Sequence, residues 1–270
     1  MNDQSKWFVV KTILLNDRLK MYKKYIEKAK QLGYKCCSFI EYYNERETAD
    51  KYLILRHDVD YDLKATRKMF NLEKSLNVTS TYYFRDCTFD YDLMQEIKAA
   101  GFEVGYHYET LANLANAKGF TKKEQIDLEE GRDLFKKELK YFEQRAGFKM
   151  LSCADHGHEK NVELGISNNA IFEDINSKAL SVEFEAYNKN LYDNYIECHI
   201  MDCPIDLNFG YSYKNKNPQN AFSEGKRVIV FLAHPCHWYL SLRAYAGRCK
   251  SLITGQITYS TERTYKRIAM

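Results

Sequence analysis

Apolar side chains recur at helical spacing between about residues 16 and 33 (Leu19, Tyr22, Ile26, Ala29), which predicts an N-terminal helix packed outside a sheet. Tyr52 to Leu55 is a short apolar run that breaks off at Arg56-His57-Asp58-Val59-Asp60, and a helical pattern follows from about 62 to 76. The order strand, polar loop, helix then repeats. Thr81 to Phe84 ends at Arg85-Asp86 before a helix around 92 to 100, and Phe102 to Tyr106 ends at His107-Tyr108-Glu109. A long amphipathic helix is predicted over 122–145, and Lys149 to Cys153 runs into Asp155-His156-Gly157-His158. Weak strands fall near 182–186 and 196–201, and the most apolar strand, Arg227 to Ala233, ends at His234-Pro235-Cys236-His237-Trp238. Strands alternating with helices imply a parallel sheet, so the fold class is α/β.

The 270 residues are enough for one sizeable core, and barrels of alternating strands and helices of about this length form single domains. The expectation is one domain over 1–270 with a helical extension at about 1–48 and no internal repeat. A hydrophobic fraction of 45%, a charged fraction of 29% and three prolines are those of a chain that folds throughout.

The net charge of +3 is spread thinly, and Lys136, Lys137 and Lys140 alternate with acids as on a solvated helix face. No nucleic-acid partner is expected, because no basic patch concentrates on one element. The run from Trp7 to Leu15 is interrupted by Lys11, lacks a small-residue cleavage signal and is too short to span a bilayer. Membrane insertion and secretion are therefore not expected, and the location expected is cytoplasmic. The eight cysteines form no Cys-x-x-Cys pair and read as reduced thiols behaving as small hydrophobes.

Six of the seven histidines fall at or just after the C-terminal end of a predicted strand, the face on which α/β barrels build their sites. In an extended segment Asp58 and Asp60 point the same way, and two carboxylates so close call for a cation beside them. The competing use is capping of the helix that follows, which occupies one acid at 60 or 62 and leaves the other without a task. His107 and Glu109 alternate in the same way after a strand containing Gly105, where glycine permits close approach of a neighbour. Imidazole with carboxylate is ordinary zinc ligation, and a catalytic zinc needs three protein ligands. Asp60 and His107 supply two; His156, His158 and Glu109 compete for the third place. His156 is favoured because Gly157 after it fits a tight turn, while His158 reads as an exposed loop residue. His234 follows the apolar strand, with Pro235 fixing the chain's exit, and is a candidate general acid. His237 and Trp238 are placed at the rim as substrate-binding residues, the indole either stacking on a sugar ring or serving as a half-buried anchor.

These segments resemble the NodB-homology polysaccharide deacetylases, carbohydrate esterase family 4, in the branch that opens on His-Asp-Val-Asp. The resemblance rests on Leu55-Arg56-His57-Asp58-Val59-Asp60, Thr81-Tyr82-Tyr83-Phe84, Gly101 to Glu109, and His234-Pro235 with Trp238, and spans roughly residues 50 to 240. It implies a distorted (β/α) barrel of about seven strands and a divalent ion, zinc by preference. It further implies Asp58 as catalytic base, Asp60 and His107 as metal ligands, His234 as general acid and Asp202 as a further site aspartate. Two features depart from the family pattern: Leu111 stands four residues after His107, where a second metal histidine is usual, and Asp155-His156-Gly157 replaces the usual Arg-x-Pro. The function expected is removal of an acetyl group from an N-acetylated sugar, nucleotide sugar or glycan precursor. Its rivals are a metal amidohydrolase on a small non-carbohydrate amide and a silent glycan-binding protein.

Overall fold

The computed structural model describes residues 18–202, 213–214 and 216–239. The run at 7–15, the first two residues of the predicted N-terminal helix, Cys203 and Cys249 lie outside the described residues. In chain order the regular elements are α1 (Arg18–Gln31), β1 (Lys35–Cys37), α2 (Phe39–Glu45), β2 (Tyr52–Val59), α3 (Leu63–Ser75), β3 (Thr81–Phe84), α4 (Tyr91–Ala99), β4 (Glu103–Tyr108) and α5 (Thr110–Lys118). There follow α6 (Leu128–Ala146), β5 (Ser152–Asp155), α7 (Glu159–Leu164), β6 (Phe184–Glu185), α8 (Lys189–Asn194), β7 (Cys198–Met201), α9 (Pro218–Ser223), β8 (Val228–Leu232) and α10 (Pro235–Trp238). The architecture is α/β, of the distorted (β/α)-barrel class, with seven strands besides the three-residue β1 among the described residues. None of the described helices is long and apolar enough to cross a membrane. The described residues form two compact units, one from 18–82, 100–103 and 194–239, the other from 83–99 and 104–193.

In the first unit β2 pairs in parallel with β8, and β8 with β7. Tyr52, Leu53 and Ile54 also pair with β1, so β1 adds to the opposite edge of β2. Residues 18–48 thus hold a sheet strand between two helices, and α1 packs on the core. Tyr22, Tyr25, Ile26 and Ala29 of α1 are buried at helical spacing against Leu53, Leu55, Ile229, Phe231 and Trp238. Burying one such Ile or Phe contributes roughly 1.5–3 kcal/mol.

The polar motif after Leu55 is not a loop. β2 continues through it to Val59 with all eight residues buried, which is possible because each ionisable side chain in it has an opposite partner. Arg56 stands in register with Leu232 of β8, and Leu232 with Met201 of β7. Asp60, Asp202 and His234 therefore follow the C-terminal ends of three adjacent parallel strands.

In the second unit β4, β5 and β6 pair in parallel, with His107 opposite Ala154 and Tyr108 opposite Asp155. α6 begins later than the predicted 122, at Leu128, where the Asp127 side chain accepts the Glu129 N–H at 2.9 Å. It stops at Gly147, whose φ of 78° is left-handed. Gly105 is required by packing, since a Cβ there would lie 2.5 Å from a Tyr83 ring carbon and 2.6 Å from the Ser152 carbonyl oxygen.

Candidate functional site

At the end of β2 the alternation of side chains separates two pairs of charges. Arg56 and Asp58 lie on one side, joined by Nε–Oδ1 and Nη2–Oδ2 bonds of 2.9 Å each, and both are buried. A bidentate pair of this kind fixes the carboxylate's orientation as well as its charge. His57 lies on the other side, its Nδ1 2.9 Å from the Ala233 carbonyl and its Nε2 2.7 Å from Glu73 Oε1. Glu73 also accepts from Tyr22 at 2.5 Å, Ser80 at 2.7 Å and Tyr82 at 2.6 Å. Burial pushes the Glu73 carboxyl up, but His57 and the two tyrosines more than reverse this and hold it below its ordinary range. His57 therefore ties β2 to α3 and to the residue before His234. Capping of α3 falls to Asp62, which accepts the Ala65 N–H at 3.2 Å, so Asp60 is not used as the cap.

Asp202 organises the turn after β8. Its Oδ1 lies 2.6 Å from His234 Nδ1, while Oδ2 accepts the His234 backbone N–H at 3.0 Å and the Trp238 indole N–H at 2.7 Å. Burial would raise the Asp202 carboxyl, yet His234 and His237 hold it far below the usual carboxylate range. Burial likewise opposes a charged His234, but Asp202, followed by Asp60 and Asp58, pushes its imidazole up to about 9. With Nδ1 engaged by Asp202, the proton available for transfer is on Nε2, which lies 3.8 Å from Asp60 Oδ2. His234 thus has the charge state and orientation of a proton donor.

Trp238 is not a stacking platform. It is 3% exposed, spends its N–H on Asp202, and packs edge-on against Tyr22 with ring centroids 5.4 Å apart. Nor does His237 form a rim: its side chain is 9% exposed and faces Asp202. His199, which sequence reasoning left aside, is half-buried in β7; desolvation and then Arg56 lower its imidazole to about 4, so it is neutral near pH 7.

In the second unit, His107 near the end of β4 has Nδ1 2.9 Å from the Ala154 carbonyl. A carbonyl only accepts, so Nδ1 carries the proton and Nε2 the lone pair. His156 follows β5, its backbone N–H bonded to the Tyr108 carbonyl at 3.0 Å and its Nδ1 2.7 Å from Glu109 Oε1. The two rings meet edge-to-face with centroids 4.8 Å apart, and each offers a ring nitrogen within 4.8 Å of the other's. Metal-binding histidines are commonly held in this way, with the second nitrogen on a carbonyl or carboxylate. Two imidazoles so fixed fit zinc, which takes nitrogen ligands of this kind.

Glu109 is the carboxylate that orients His156. It is 5% exposed and also accepts Arg85 Nη2 at 2.8 Å. Burial would raise its carboxyl, but His156 and Arg85 lower it to about 2. His158 is no exposed loop residue: its Nδ1 accepts the Lys160 N–H at 2.9 Å and caps α7. Leu111 is fully buried against Gly131 of α6, so position 111 belongs to the core. Arg56, Glu73 and Arg85 were missed: Arg56 stands two residues from Asp58 and reads as loop, while Glu73 and Arg85 meet His57 and Glu109 at no motif spacing.

No known protein family and no curated protein matches the sequence. Among solved structures, a CE4 family pseudoenzyme from Bacillus anthracis is similar with a TM-score of 0.41 and 14% identity, over 76% of this chain and 62% of that one. This chain thus spans less than two thirds of that protein's length. The catalytic domain of a peptidoglycan N-acetylglucosamine deacetylase from Eubacterium rectale gives a TM-score of 0.40 and 15% identity, over 80% of this chain and 94% of that one. A family 4 carbohydrate esterase from Streptomyces lividans gives 0.39 and 12%, over 76% and 90%.

Proposed function

We propose that the chain is a metal-dependent hydrolase that removes an acetyl group from the nitrogen of an acetylated sugar or glycan precursor, with Asp60, His107 and His156 as metal ligands. The observation that carries this reading is the His107–His156 pair, each ring locked through Nδ1 and each presenting Nε2 as the lone-pair nitrogen. A divalent ion held there would supply polarisation of the amide carbonyl and acidification of a bound water.

The chain's own residues divide the remaining work. Asp58, held in both oxygens by Arg56, accepts a proton from the attacking water. His234, charged and aligned by Asp202, delivers the Nε2 proton to the departing amine. Glu109 keeps the His156 ring in its ligand orientation while Arg85 neutralises the carboxylate. Acetate and a free amine are the products. The test is acetate release from N-acetylated hexosamines, free and nucleotide-linked, by zinc-loaded protein. Asp58→Asn is expected to retain metal and release no acetate; absence of release by the wild type across both substrate classes overturns the reading.

A second reading, a catalytically silent glycan-binding protein, is favoured by Leu111, which places a core residue where the related pattern has a ligand. Sugar binding in the absence of metal, with no acetate released, selects it.

A further inference from the structure

The turn after β8 holds more ligating groups than a proton donor needs. Asp202, His234 and His237 each offer one ligand atom, all within 4.8 Å of one another. Their side chains are 4%, 16% and 9% exposed. Asp202 and His234 account for each other through their 2.6 Å bond, and His234 is sufficient as donor with Asp202 alone behind it. His237 is surplus to that arrangement. Its Nδ1 is buried 3.2 Å from Asp202 Oδ2, but off the line that a hydrogen bond requires, and no described group satisfies it. The ring is packed beside His234 at a centroid distance of 4.8 Å, and Arg18 anchors its carbonyl oxygen at 2.7 Å. A nine-tenths buried imidazole nitrogen whose neighbouring carboxylate is badly aligned is an arrangement that folding disfavours unless something else engages it.

We propose that Asp202, His234 and His237 form a second divalent-metal site, of the mixed imidazole and carboxylate type that zinc accepts, and that its occupation withdraws His234 from proton transfer. The second half of this rests on His234 being the proton donor; the site itself does not. A tetrahedral ion with bonds of about 2.0–2.1 Å sets neighbouring ligand atoms about 3.3 Å apart. The Asp202–His237 separation of 3.2 Å meets this as it stands. The Asp202–His234 separation of 2.6 Å is a hydrogen-bond length and must open, with the shared proton released to solvent as the ion takes its place. That opening makes this site weaker than the one assigned to His107 and His156. Excess zinc would therefore switch the enzyme off after first switching it on.

Equilibrium dialysis of metal-stripped full-length protein against rising zinc tests this. The expected result is about two ions per chain in the wild type at saturation, a count set by two separate ligand groups. His237→Ala and His237→Gln, the latter retaining a polar side chain, are each expected to lose the weaker ion and keep the tighter one, and His107→Ala to do the reverse. If both His237 variants bind zinc as the wild type does, the second site is wrong. If they lose an ion while His107→Ala loses none, the second site stands and the first assignment falls.

Discussion

Glu138 lies on the apolar stripe of α6, 2% exposed, where its Oε2 accepts from Thr110 at 2.5 Å and from Tyr106 at 3.2 Å. Both donors are neutral. Burial pushes its carboxyl up to about 7; the Thr110 and Tyr106 bonds oppose this, and the charges of Asp86 and Glu109 add to it. The folded protein therefore holds this proton more tightly than the unfolded chain, whose carboxyl has the ordinary value of 4.5. The resulting stabilisation is complete below 4.5 and is lost as the pH rises through about 7. At about 1.4 kcal/mol per pH unit over that interval, the loss is about 3 kcal/mol. Glu138→Gln preserves an acceptor for Thr110 and has no proton to lose. Urea denaturation of both proteins at pH 5 and pH 8 gives the stability of variant relative to wild type at each. That difference is expected to move in the variant's favour by about 1–3 kcal/mol between the two pH values, allowing for partial relaxation around the charge. An unchanged difference, or one moving toward the wild type, would show that burial does not hold the Glu138 proton.

Three further outcomes follow from individual contacts. Glu109→Gln removes the carboxylate behind His156 and is expected to weaken zinc affinity about 10–100-fold in a competition assay with a chelator. Trp238→Phe loses the indole bond to Asp202 and is expected to cost about 1–3 kcal/mol in denaturant unfolding while leaving the KM for sugar unchanged; a raised KM with normal stability would restore the stacking role. Gly105→Ala forces a Cβ against Tyr83 and the Ser152 carbonyl, and a loss of about 1–3 kcal/mol or more is expected from thermal or urea unfolding.

Elements whose composition agrees with their place were legible in the sequence: Thr81–Phe84 is a strand with the expected bounds because it is a β-branched and aromatic run between polar residues. β2 was cut short because Arg56, His57 and Asp58 look like loop; only the pairing of Arg56 with Asp58 and of His57 with Glu73 lets a strand bury them. The signal for Glu73 was present, since it extends the Thr66, Met69, Phe70 stripe of α3, and a carboxylate on an apolar stripe calls for a buried partner. Glu138 beside Leu134, Phe135 and Phe142 is the same signal. By contrast, no spacing rule links Asp202 to His234, 32 residues apart, or Glu109 to His156, 47 apart, because the register of parallel strands sets those pairs. The three-residue β1 and the weakly amphipathic α5 were too short to read.

Metal analysis of purified protein after zinc loading and dialysis shows whether His107 and His156 hold a divalent ion. About one tightly held ion per chain is expected, as a three-ligand zinc site would give, lost in His107→Ala and in His156→Ala and retained in His158→Ala. An ion retained in His156→Ala, or no ion held by the wild type after loading, contradicts it.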